Sequence, residues 1–340
     1  MRQWIIGAGA TDLSALRLDT VPDPTPAADE VVIKVHAGSL NFRDQAIPLG
    51  KYMGGVLPAD QVPLSDGAGE VVAVGSGVGA YEVGDRVAGA FFQNWTDGPP
   101  HANAGPALGA APAKGMLAEY VALPEKGVVR LPESLTYEEA ATLPCAGVTA
   151  WNALFEGGRP VKAGEKALVL GTGGVSLLAA QFAHAAGVEV YGTSGSDEKI
   201  ARAKPLGIAN SVNYRTYPDW GDEIFKLTGG HGADKVIEVG GNGTLAQSMR
   251  AVAFAGEIAL IGVITNAEAP PAPHALMMRG SSIRGIFVGN ARMFADMAAH
   301  IDRHGIKPVI DKVFAFEDAI EAYTYQSSGA LFGKVVIRIG

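Results

Sequence analysis

The sequence contains a single cysteine, Cys145, among 340 residues. One cysteine excludes an intrachain disulfide and a four-cysteine structural zinc site, and it is typical of proteins that work in the reducing cytoplasm. The chain also lacks an apolar run of the roughly 18 residues that a membrane helix needs. Its first residues, MRQWIIGAGATDLS, lack the basic segment and apolar core of a secretory signal. We therefore expect a cytoplasmic protein.

Long runs of Lys and Arg are absent too, and the formal net charge is −8. An acidic chain without a basic stripe is a poor partner for nucleic acid or an anionic membrane, so we expect a small-molecule substrate instead. Hydrophobic residues make up 48% and charged residues 18% of the chain, which is typical of a globular protein. The length favours two domains.

The first 125 residues contain short apolar runs separated by glycine and proline. Glu30–Ala37 alternates between apolar and polar residues over part of its length, and residues 69–74 and 85–90 are similar apolar runs. This pattern predicts an irregular, β-rich domain. Residues 91–115 are rich in Gly, Ala and Pro, and they predict a long ordered loop.

From Ala167 onward, apolar runs alternate with segments of helical periodicity. Unbroken apolar strands that alternate with amphipathic helices predict an α/β fold with a parallel sheet covered on both faces. The predicted strands are residues 167–170, 188–192, 235–239, 257–263 and 283–288. The last segment, residues 314–340, predicts a helix followed by a strand.

A glycine-rich turn follows the first strand of this alternating region, within KALVLGTGGVS (residues 166–176). Such a turn lets the backbone approach a pyrophosphate, which the N–H groups and the dipole of the next helix favour. Ser176 replaces the third glycine of the usual pattern, and a plain turn between strand and helix is the alternative. The predicted phosphate-binding residues are Gly171, Thr172, Gly173, Gly174 and Val175.

The end of the second strand bears on the choice between NAD and NADP. An NAD site usually places an Asp or Glu there to hold the ribose hydroxyls. Here the strand ends in Ser194 and Gly195, without an acid, and Lys199 falls in the first turn of the next helix. A cation in the first turn of a helix is unfavourable, because it opposes the helix dipole. A 2′-phosphate bound to Lys199 would compensate for this, and we expect Arg215 to approach the same phosphate. A solvated surface lysine is the alternative for Lys199.

Several motifs in a fixed order resemble the medium-chain dehydrogenase/reductase superfamily, specifically its zinc-independent, quinone-oxidoreductase-like branch. The resemblance covers nearly the whole chain. The motifs are SLNFRD (39–44), DGAGEV (66–71), VGDRV (83–87), AATLP (140–144), the glycine turn, residues 234–241 and GKVV (333–336).

The resemblance implies a GroES-like β-rich domain, formed by residues 1–125 and 306–340, with a Rossmann domain, residues 126–305, inserted in it. It implies NADP(H) as the cofactor, held at its phosphate by Gly195, Lys199 and Tyr214. It also implies a homodimer that pairs through an edge strand at residues 281–289. The remaining cofactor contacts that it implies are Thr149, Ser194, Gly240, Ile261, Gly262, Val263, Phe287, Val288 and Lys334, the last of which is equally compatible with an ordinary surface lysine.

The resemblance also bears on metal binding, because the catalytic zinc ligands of related enzymes fall on Asn41, Ser65 and Cys145 here. One surviving donor cannot make a site with three protein ligands, so we expect no metal. His300 and His304 have metal-capable spacing, but we interpret them as solvated surface residues.

The predicted catalytic residues are Asn41, whose amide is placed to polarise a carbonyl, and Tyr52, as a hydrogen-bond or proton donor. The alternatives are a turn-stabilising Asn41 and a Tyr52 packed on Leu49 or Met53. A further tyrosine of some relatives falls on Ala46. The predicted pocket walls are aromatic: Phe42, Tyr52, Phe92, Trp95 and Phe287.

Together these features predict an NADPH-dependent oxidoreductase that transfers hydride to a small apolar quinone, enone or carbonyl. Two alternatives stay open. One is a zinc-independent alcohol dehydrogenase or enoyl reductase on the same fold, because a fold does not determine the reaction. The other is an NADPH-binding sensor or structural protein with little turnover.

Overall fold

A computed structural model describes residues 1–52, 55–267 and 271–340 of the chain. The strands are β1 (Arg2–Ile6), β2 (Leu16–Thr20), β3 (Glu30–Ser39), β4 (Asp66–Val74), β5 (Arg86–Gly89), β6 (Tyr120–Pro124), β7 (Val128–Arg130), β8 (Lys166–Leu170), β9 (Glu189–Ser194), β10 (Asn210–Asn213), β11 (Ala233–Glu238), β12 (Val252–Leu260), β13 (Ser282–Gly285), β14 (Ile310–Ala315) and β15 (Lys334–Arg338). The α-helices are α1 (Phe42–Ala46), α2 (Tyr137–Ala140), α3 (Val148–Phe155), α4 (Gly174–Ala185), α5 (Asp197–Ala203), α6 (Trp220–Leu227), α7 (Asn242–Ala251), α8 (His274–Arg279), α9 (Ala291–His304) and α10 (Ala319–Ser327).

The chain divides into two compact units, which are residues Met1–Val148 with Gly289–Gly340, and residues Thr149–Val288. The domain boundaries predicted from the family, at residues 125/126 and 305/306, remain a prediction. No helix within the described residues is long and apolar enough to cross a membrane.

The first unit is built on a seven-stranded sheet in the order β14-β15-β3-β4-β5-β7, with β6 also paired to β3. The alternation predicted for part of residues 30–37 is confirmed from Ile33 to Ala37, where Ile33, Val35 and Ala37 are buried and Lys34 is exposed, while Val31 and Val32 are both buried. The C-terminal strand β15 runs antiparallel to β3 and so completes a sheet that the N-terminal segment begins. Residues 91–115 contain no strand or α-helix, as predicted for a loop.

The C-terminal segment contains one strand more than the sequence predicted. The helix and the final strand are confirmed, but β14 (Ile310–Ala315) precedes them and pairs parallel with β15. Along β14 only Phe314 is buried, because the strand lies at the edge of the sheet. An exposed edge strand has no alternating apolar pattern, and so the sequence did not reveal it.

The second unit is a parallel sheet of six strands in the order β10-β9-β8-β11-β12-β13. Numbered from β8, this is the 3-2-1-4-5-6 order of a doubly wound dinucleotide-binding sheet. All six residues of β11 are buried, as expected for a strand that is covered on both faces. The predicted α/β class is therefore confirmed, and the carboxyl ends of β8, β9, β11 and β12 define the edge at which such sheets bind ligands.

Candidate active site

The glycine turn after β8 has the geometry of an anion-binding site. Gly171 has a φ of +71°, a left-handed conformation that favours glycine, and Gly173 caps the 12-residue helix α4. A Cβ added at Gly171 or Gly173 would meet no atom within 4 Å, so a ligand can approach the backbone there. The first N–H groups of α4 have no partner within the helix. The turn therefore fits the pyrophosphate of a dinucleotide, with Thr172, Gly174 and Val175 completing it.

Ser176 takes a structural role at the position of the missing third glycine. Its Oγ donates a 2.6 Å hydrogen bond to the carbonyl of Leu170, and the residue is buried. The hydroxyl thus ties the start of α4 back to the end of β8, and the turn keeps its shape without the glycine.

The carboxyl end of β9 brings together four of the predicted cofactor residues. A Cβ at Gly195 would lie 2.7 Å from the phenol oxygen of Tyr214, so glycine is needed to admit that ring. The side chain of Ser196 caps α5 by accepting a hydrogen bond from the backbone N–H of Lys199 at 3.3 Å. The backbone carbonyl of Ser194 accepts a hydrogen bond from the N–H of Tyr214. Ser194, Gly195, Lys199 and Tyr214 therefore share one strand end.

A buried carboxylate shapes the turn after β11. One oxygen of Glu238 accepts hydrogen bonds from the N–H groups of Gly240 and Gly241, at 2.8 and 3.0 Å, and from the hydroxyl of Thr244 at 2.6 Å. Its other oxygen accepts one from Ser248. Four donors compensate the burial of this charge and hold the backbone around Gly240 in place.

The turn after β12 passes very close to the end of β11. A Cβ at Gly262 would lie 1.5 Å from the carbonyl oxygen of Val239, so any side chain there would displace the backbone. Its neighbours Ile261 and Val263 are half-buried and exposed, respectively. The structure therefore places Gly240 and residues 261–263 together at the carboxyl edge of the sheet.

Three further predicted contacts lie in the second unit. Thr149 is buried near the start of α3, and Phe287 is about half exposed, at 50%. Val288 is buried with a φ of +53°, a conformation that costs a β-branched residue free energy. These three residues are distant in sequence from the residues at the end of β9, but all of them belong to the second unit.

Lys334 belongs to the first unit, and it is 5% exposed. The interpretation of this residue as an ordinary surface lysine is therefore wrong. Its Nζ donates 2.6 Å hydrogen bonds to the backbone carbonyl of Leu40 and to Oδ1 of Asn41. The Asp66 carboxylate lies 4.0 Å away. These buried groups compensate the ammonium charge.

Lys334 determines which way the amide of Asn41 points. An ammonium group is only a donor, so the atom that it contacts must be the amide oxygen. The amide nitrogen then faces Ser65 and donates to its Oγ at 3.4 Å, while Ser65 donates to Oδ1 of Asp66 at 2.7 Å. The Asn41 side chain also donates a hydrogen bond to the Asp66 carboxylate, which lowers the pKa of that carboxyl against the effect of its burial. The arrangement presents Asn41 as an oriented hydrogen-bond donor.

Asn41 also lies at the N-terminus of α1, where its backbone N–H donates to Asp44 at 2.7 Å. Its backbone thus helps to begin a helix, as the turn-stabilising alternative supposed. The side chain takes part in a capping box with Asp44, and its oxygen also accepts a hydrogen bond from Lys334.

The three positions of a family zinc site hold an amide, a hydroxyl and a thiol, which do not make a set of three zinc ligands. Desolvation raises the pKa of the Cys145 thiol, and the charge of Asp66 raises it further, which disfavours the thiolate that binds metal. The ammonium of Lys334 would also repel a second cation. No cluster of three His, Cys, Asp or Glu suited to a metal is found among the described residues.

Tyr52 lies beside a buried arginine. The guanidinium carbon of Arg43 is 5.1 Å from the ring centroid of Tyr52 and 4.9 Å from that of Phe91. Desolvation raises the pKa of the Tyr52 phenol, although the charge of Arg43 partly opposes that shift, so the hydroxyl stays protonated. Tyr52 is half-buried against the core of the first unit. Of the two neighbours suggested for its packing, Leu49 and Met53, Met53 lies outside the described residues.

Asp44 leads to a testable prediction about stability. Its carboxyl is buried, and desolvation raises its pKa to about 6, despite the opposing charge of Arg43. The folded protein therefore binds more protons than the unfolded chain between about pH 4 and 6, and it loses stability as the pH rises through this window. We expect Asp44→Asn to stabilise the protein at pH 8 by roughly 2–3 kcal/mol, with no gain below about pH 4.

Thermal unfolding of Asp44→Asn and the parent protein from pH 4 to pH 8 measures this difference. Asp12→Asn is the matched control. The pKa of Asp12 is lowered by the hydrogen bonds that it accepts from Ser14, so its replacement is not expected to stabilise the protein. A lower melting temperature for Asp44→Asn at pH 8 would contradict the prediction.

Some predicted pocket and surface residues are part of the core. Phe92 and Trp95 are buried and contact each other, with ring centroids 5.9 Å apart. His300 is buried in α9, so its interpretation as a solvated residue is wrong. Phe42, in contrast, is about half exposed, at 49%.

Asp66 is a buried residue of the site that was not predicted from the sequence, although it lies in one of the family motifs. A fully buried acid inside the apolar strand β4 needs a compensating cation or donors. The signal was available, because Lys334 opens the equally apolar strand KVVI. Because a charge in an apolar strand needs a partner, the acid at Asp66 and the base at Lys334 together predict an ion pair.

Comparison with known proteins gives consistent results for both units. Residues 27–133 match the alcohol dehydrogenase GroES-like domain family and residues 174–303 match the zinc-binding dehydrogenase family. A zinc-type alcohol dehydrogenase-like protein of Schizosaccharomyces pombe is 46% identical over 91% of both chains. A 2-methylene-furan-3-one reductase of Solanum lycopersicum is 32% identical over 99% of this chain and 79% of its own. The human quinone oxidoreductase is 31% identical over 97% of this chain and 95% of its own.

A solved structure is similar over its entire length. The putative alcohol dehydrogenase of Sinorhizobium meliloti 1021 is 40% identical, with a TM-score of 0.89 and 100% coverage of both chains. The sheet order, the glycine turn and these relatives agree with the family resemblance of the sequence motifs. The chain belongs to the medium-chain dehydrogenase/reductase superfamily and is an oxidoreductase with alcohol dehydrogenase-like and quinone oxidoreductase relatives.

Proposed function

We propose that this oxidoreductase uses NADPH and, without zinc, reduces a small apolar quinone, enone or carbonyl compound. The second unit would hold the dinucleotide at the carboxyl edge of its sheet. The bound nicotinamide would supply hydride, Asn41 would bind the substrate oxygen, and Tyr52 would supply a proton.

The choice of NADPH depends on the end of β9. Ser194 and Gly195 stand where a carboxylate would hold the ribose hydroxyls of NAD, and a carboxylate there would repel a 2′-phosphate. Lys199 lies in the first turn of the next helix, three residues after the cap Ser196, and Tyr214 packs on Gly195. The end of β9 has no acid, and it has the cation of Lys199 and the phenol of Tyr214 beside it. This is the observation that carries the proposal.

Asn41 is the group that we propose to polarise the substrate. Because Lys334 holds its oxygen, the amide nitrogen is oriented before substrate binds, which is the requirement for electrostatic stabilisation of a developing negative charge. The second N–H of that nitrogen would donate to the substrate oxygen. Lys334 would therefore act on the reaction through Asn41, whose amide orientation it determines.

Tyr52 would complete the reduction as a proton donor. Its raised pKa keeps the phenol protonated at neutral pH, and the hydroxyl can give its proton to the reduced substrate and recover one from water. Cys145 is not proposed to react, because its raised pKa leaves it as a thiol.

The substrate class follows from the chemistry that this site stabilises. Quinones and enones place negative charge on an oxygen when hydride adds to their conjugated system, and Asn41 would meet that oxygen. Two of the relatives are named 2-methylene-furan-3-one reductase and quinone oxidoreductase, and both names refer to conjugated carbonyl compounds. We extend that class to this chain as part of the proposal.

The proposal is tested by titrating the purified protein with NADPH and NADH while following nicotinamide fluorescence, and then assaying quinones, enones and aldehydes. Tighter binding of NADPH with turnover of a conjugated carbonyl supports it. Tighter binding of NADH with alcohol oxidation would favour an alcohol dehydrogenase. Tight NADPH binding without turnover of any compound would favour a sensor or structural role.

We also propose a homodimer that forms through β13. This strand is at the outer edge of the six-stranded sheet, where one side of its backbone has no neighbouring strand among the described residues. Met277 and Met278 in the preceding helix are about three-quarters exposed. An open sheet edge beside exposed methionines favours pairing with a second copy. Light scattering should give twice the chain mass of 35.1 kDa.

A further inference from the structure

Val288 adopts a backbone conformation that valine normally avoids. Its φ is +53°, and its side chain is buried. β-branched residues are rarely found in this left-handed region, because Cβ clashes with the backbone there. Surrounding contacts must therefore hold the conformation, and residues of this kind are concentrated at functional sites.

Asn152 supplies such a contact from helix α3. Its Nδ2 donates a 2.7 Å hydrogen bond to the carbonyl oxygen of Val288. Asn152 is 6% exposed, so the bond is shielded from competing water. The two residues are 136 positions apart in the sequence, but both belong to the second unit. The bond holds the carbonyl of Val288 in one direction.

The orientation of the Asn152 amide is itself determined by Arg284 in β13. Nη1 of Arg284 donates to Oδ1 of Asn152 at 3.0 Å, and Nη2 donates to the backbone carbonyl of Asn152 at 2.8 Å. A guanidinium cannot accept a hydrogen bond, so a flipped amide would place donor against donor. The amide nitrogen must therefore face Val288.

Buried charges hold Arg284 in turn. Oε1 of Glu257 accepts from Nε of Arg284 at 3.1 Å and from Nζ of Lys235 at 2.5 Å. Lys235 is fully buried and Glu257 is 4% exposed. Gly157 gives the guanidinium room, because a Cβ there would lie 2.8 Å from its Nε. The chain of contacts runs without a break from Lys235 through Glu257, Arg284 and Asn152 to the carbonyl of Val288.

The position of Val288 in the sheet indicates what this arrangement serves. The segment leaves the carboxyl end of β13, where the N–H of Ile286 still bonds to Leu260 in β12. In a doubly wound sheet the dinucleotide lies across the carboxyl ends, with one mononucleotide on each half. The end of β9 bears the features of the adenosine half, so the β11–β13 half faces the nicotinamide.

We infer that Asn152 is a positioning residue for the nicotinamide half of the cofactor, acting by holding Val288 in its left-handed conformation. This inference rests on the proposed use of NADPH. If Asn152 is lost, Val288 returns to an ordinary extended conformation and its carbonyl and N–H turn. The nicotinamide half of the cofactor then loses its contacts with this segment, while the adenosine half keeps its contacts at the end of β9.

The test compares two ligands on Asn152→Asp and Asn152→Leu. NADPH contains both halves of the cofactor, whereas 2′,5′-ADP contains only the adenosine half with its 2′-phosphate. Asn152→Asp keeps the size and the contact with Arg284, but it presents an acceptor to the carbonyl of Val288. We expect NADPH to bind about tenfold more weakly to each variant, as for the loss of one or two buried hydrogen bonds. The affinity for 2′,5′-ADP should change less than about twofold.

Val288→Gly in the Asn152→Asp background makes the test specific. Glycine adopts a positive φ without cost, so the double variant should recover most of the NADPH affinity. A purely structural role for Asn152 would weaken both ligands equally, and glycine at 288 would not restore binding. Equal weakening of both ligands, or no recovery with glycine at 288, overturns the inference. Unchanged NADPH affinity in the single variants overturns it as well. If the parent protein binds neither ligand, the proposed function fails and the inference fails with it.

Discussion

Replacing Asn41 with leucine is expected to lower kcat for quinone or enone reduction about 100-fold, with little change in the dissociation constant for NADPH. The magnitude is that of removing one preorganised donor to a developing oxyanion. Leucine has nearly the shape of asparagine but cannot donate to the substrate oxygen. The predicted cofactor residues at the carboxyl edge of the six-stranded sheet lie in the second unit, so their contacts with NADPH should stay intact. Steady-state kinetics and a fluorescence titration measure the two effects separately.

Two further variants separate the donor from the packing around it. Asn41→Asp keeps an oxygen for the Lys334 ammonium at the same place but lacks the amide donor, so it should lose as much kcat as leucine does. Lys334→Met keeps the donor but removes the contact that orients it, and a loss of about tenfold is expected, the equivalent of one buried hydrogen bond. Asn94→Leu, at an exposed position of the same unit, should leave kcat unchanged. Full activity of Asn41→Asp would rule out the amide as the polarising group.

The fold and the dinucleotide edge could be predicted from the sequence because their signals are local. The strand β8, the glycines of the turn and the cap of α5 each follow from a few consecutive residues. Gly171 needs its positive φ and Ser196 caps the helix whatever the rest of the chain does. The parallel sheet was predictable for the same reason, since a strand buried on both faces is apolar along its whole length.

The environment of Lys334 could not be predicted in this way. Its partners are the carbonyl of Leu40 and the amide of Asn41, which are 294 and 293 residues away in the sequence. Two charges in apolar strands indicate that Lys334 pairs with Asp66, but no local pattern shows that Lys334 also reaches the amide of Asn41. The contact of Asn152 with Val288 is hidden for the same reason, and the backbone conformation of Val288 has no signature in a valine.

The sequence also does not show whether an aromatic residue lines a pocket or fills a core. Phe92 and Trp95 fall in a Gly- and Pro-rich loop, where large apolar side chains could line a pocket or fill a core equally well. In the structure they are buried, and the indole nitrogen of Trp95 donates to the carbonyl of Gly98 within the same loop. An ordered loop of this length needs a core of its own, and these two rings supply it.

Replacing Lys199 with alanine is expected to weaken NADPH binding between about tenfold and 100-fold and to leave NADH binding unchanged. The range corresponds to the loss of a hydrogen bond to a charged group. The 2′-phosphate is the one feature that distinguishes the two nucleotides, so a change confined to NADPH assigns Lys199 to that phosphate. Because charge attraction is screened, the difference between the parent protein and the variant should shrink as salt increases. Fluorescence titrations at low and high salt measure it.

Lys204→Ala is the matched control, because Lys204 follows the same helix at its other end and is exposed. It changes the net charge by the same amount, so a nonspecific effect of charge on the phosphates would weaken NADPH equally in both variants. A loss confined to Lys199→Ala would instead depend on position, at the start of α5 beside Ser194 and Gly195. If NADH and NADPH bind the parent protein equally well, the absence of an acid at the end of β9 does not select NADPH. The 2′-phosphate then contributes nothing to binding, and the proposal for the cofactor is wrong.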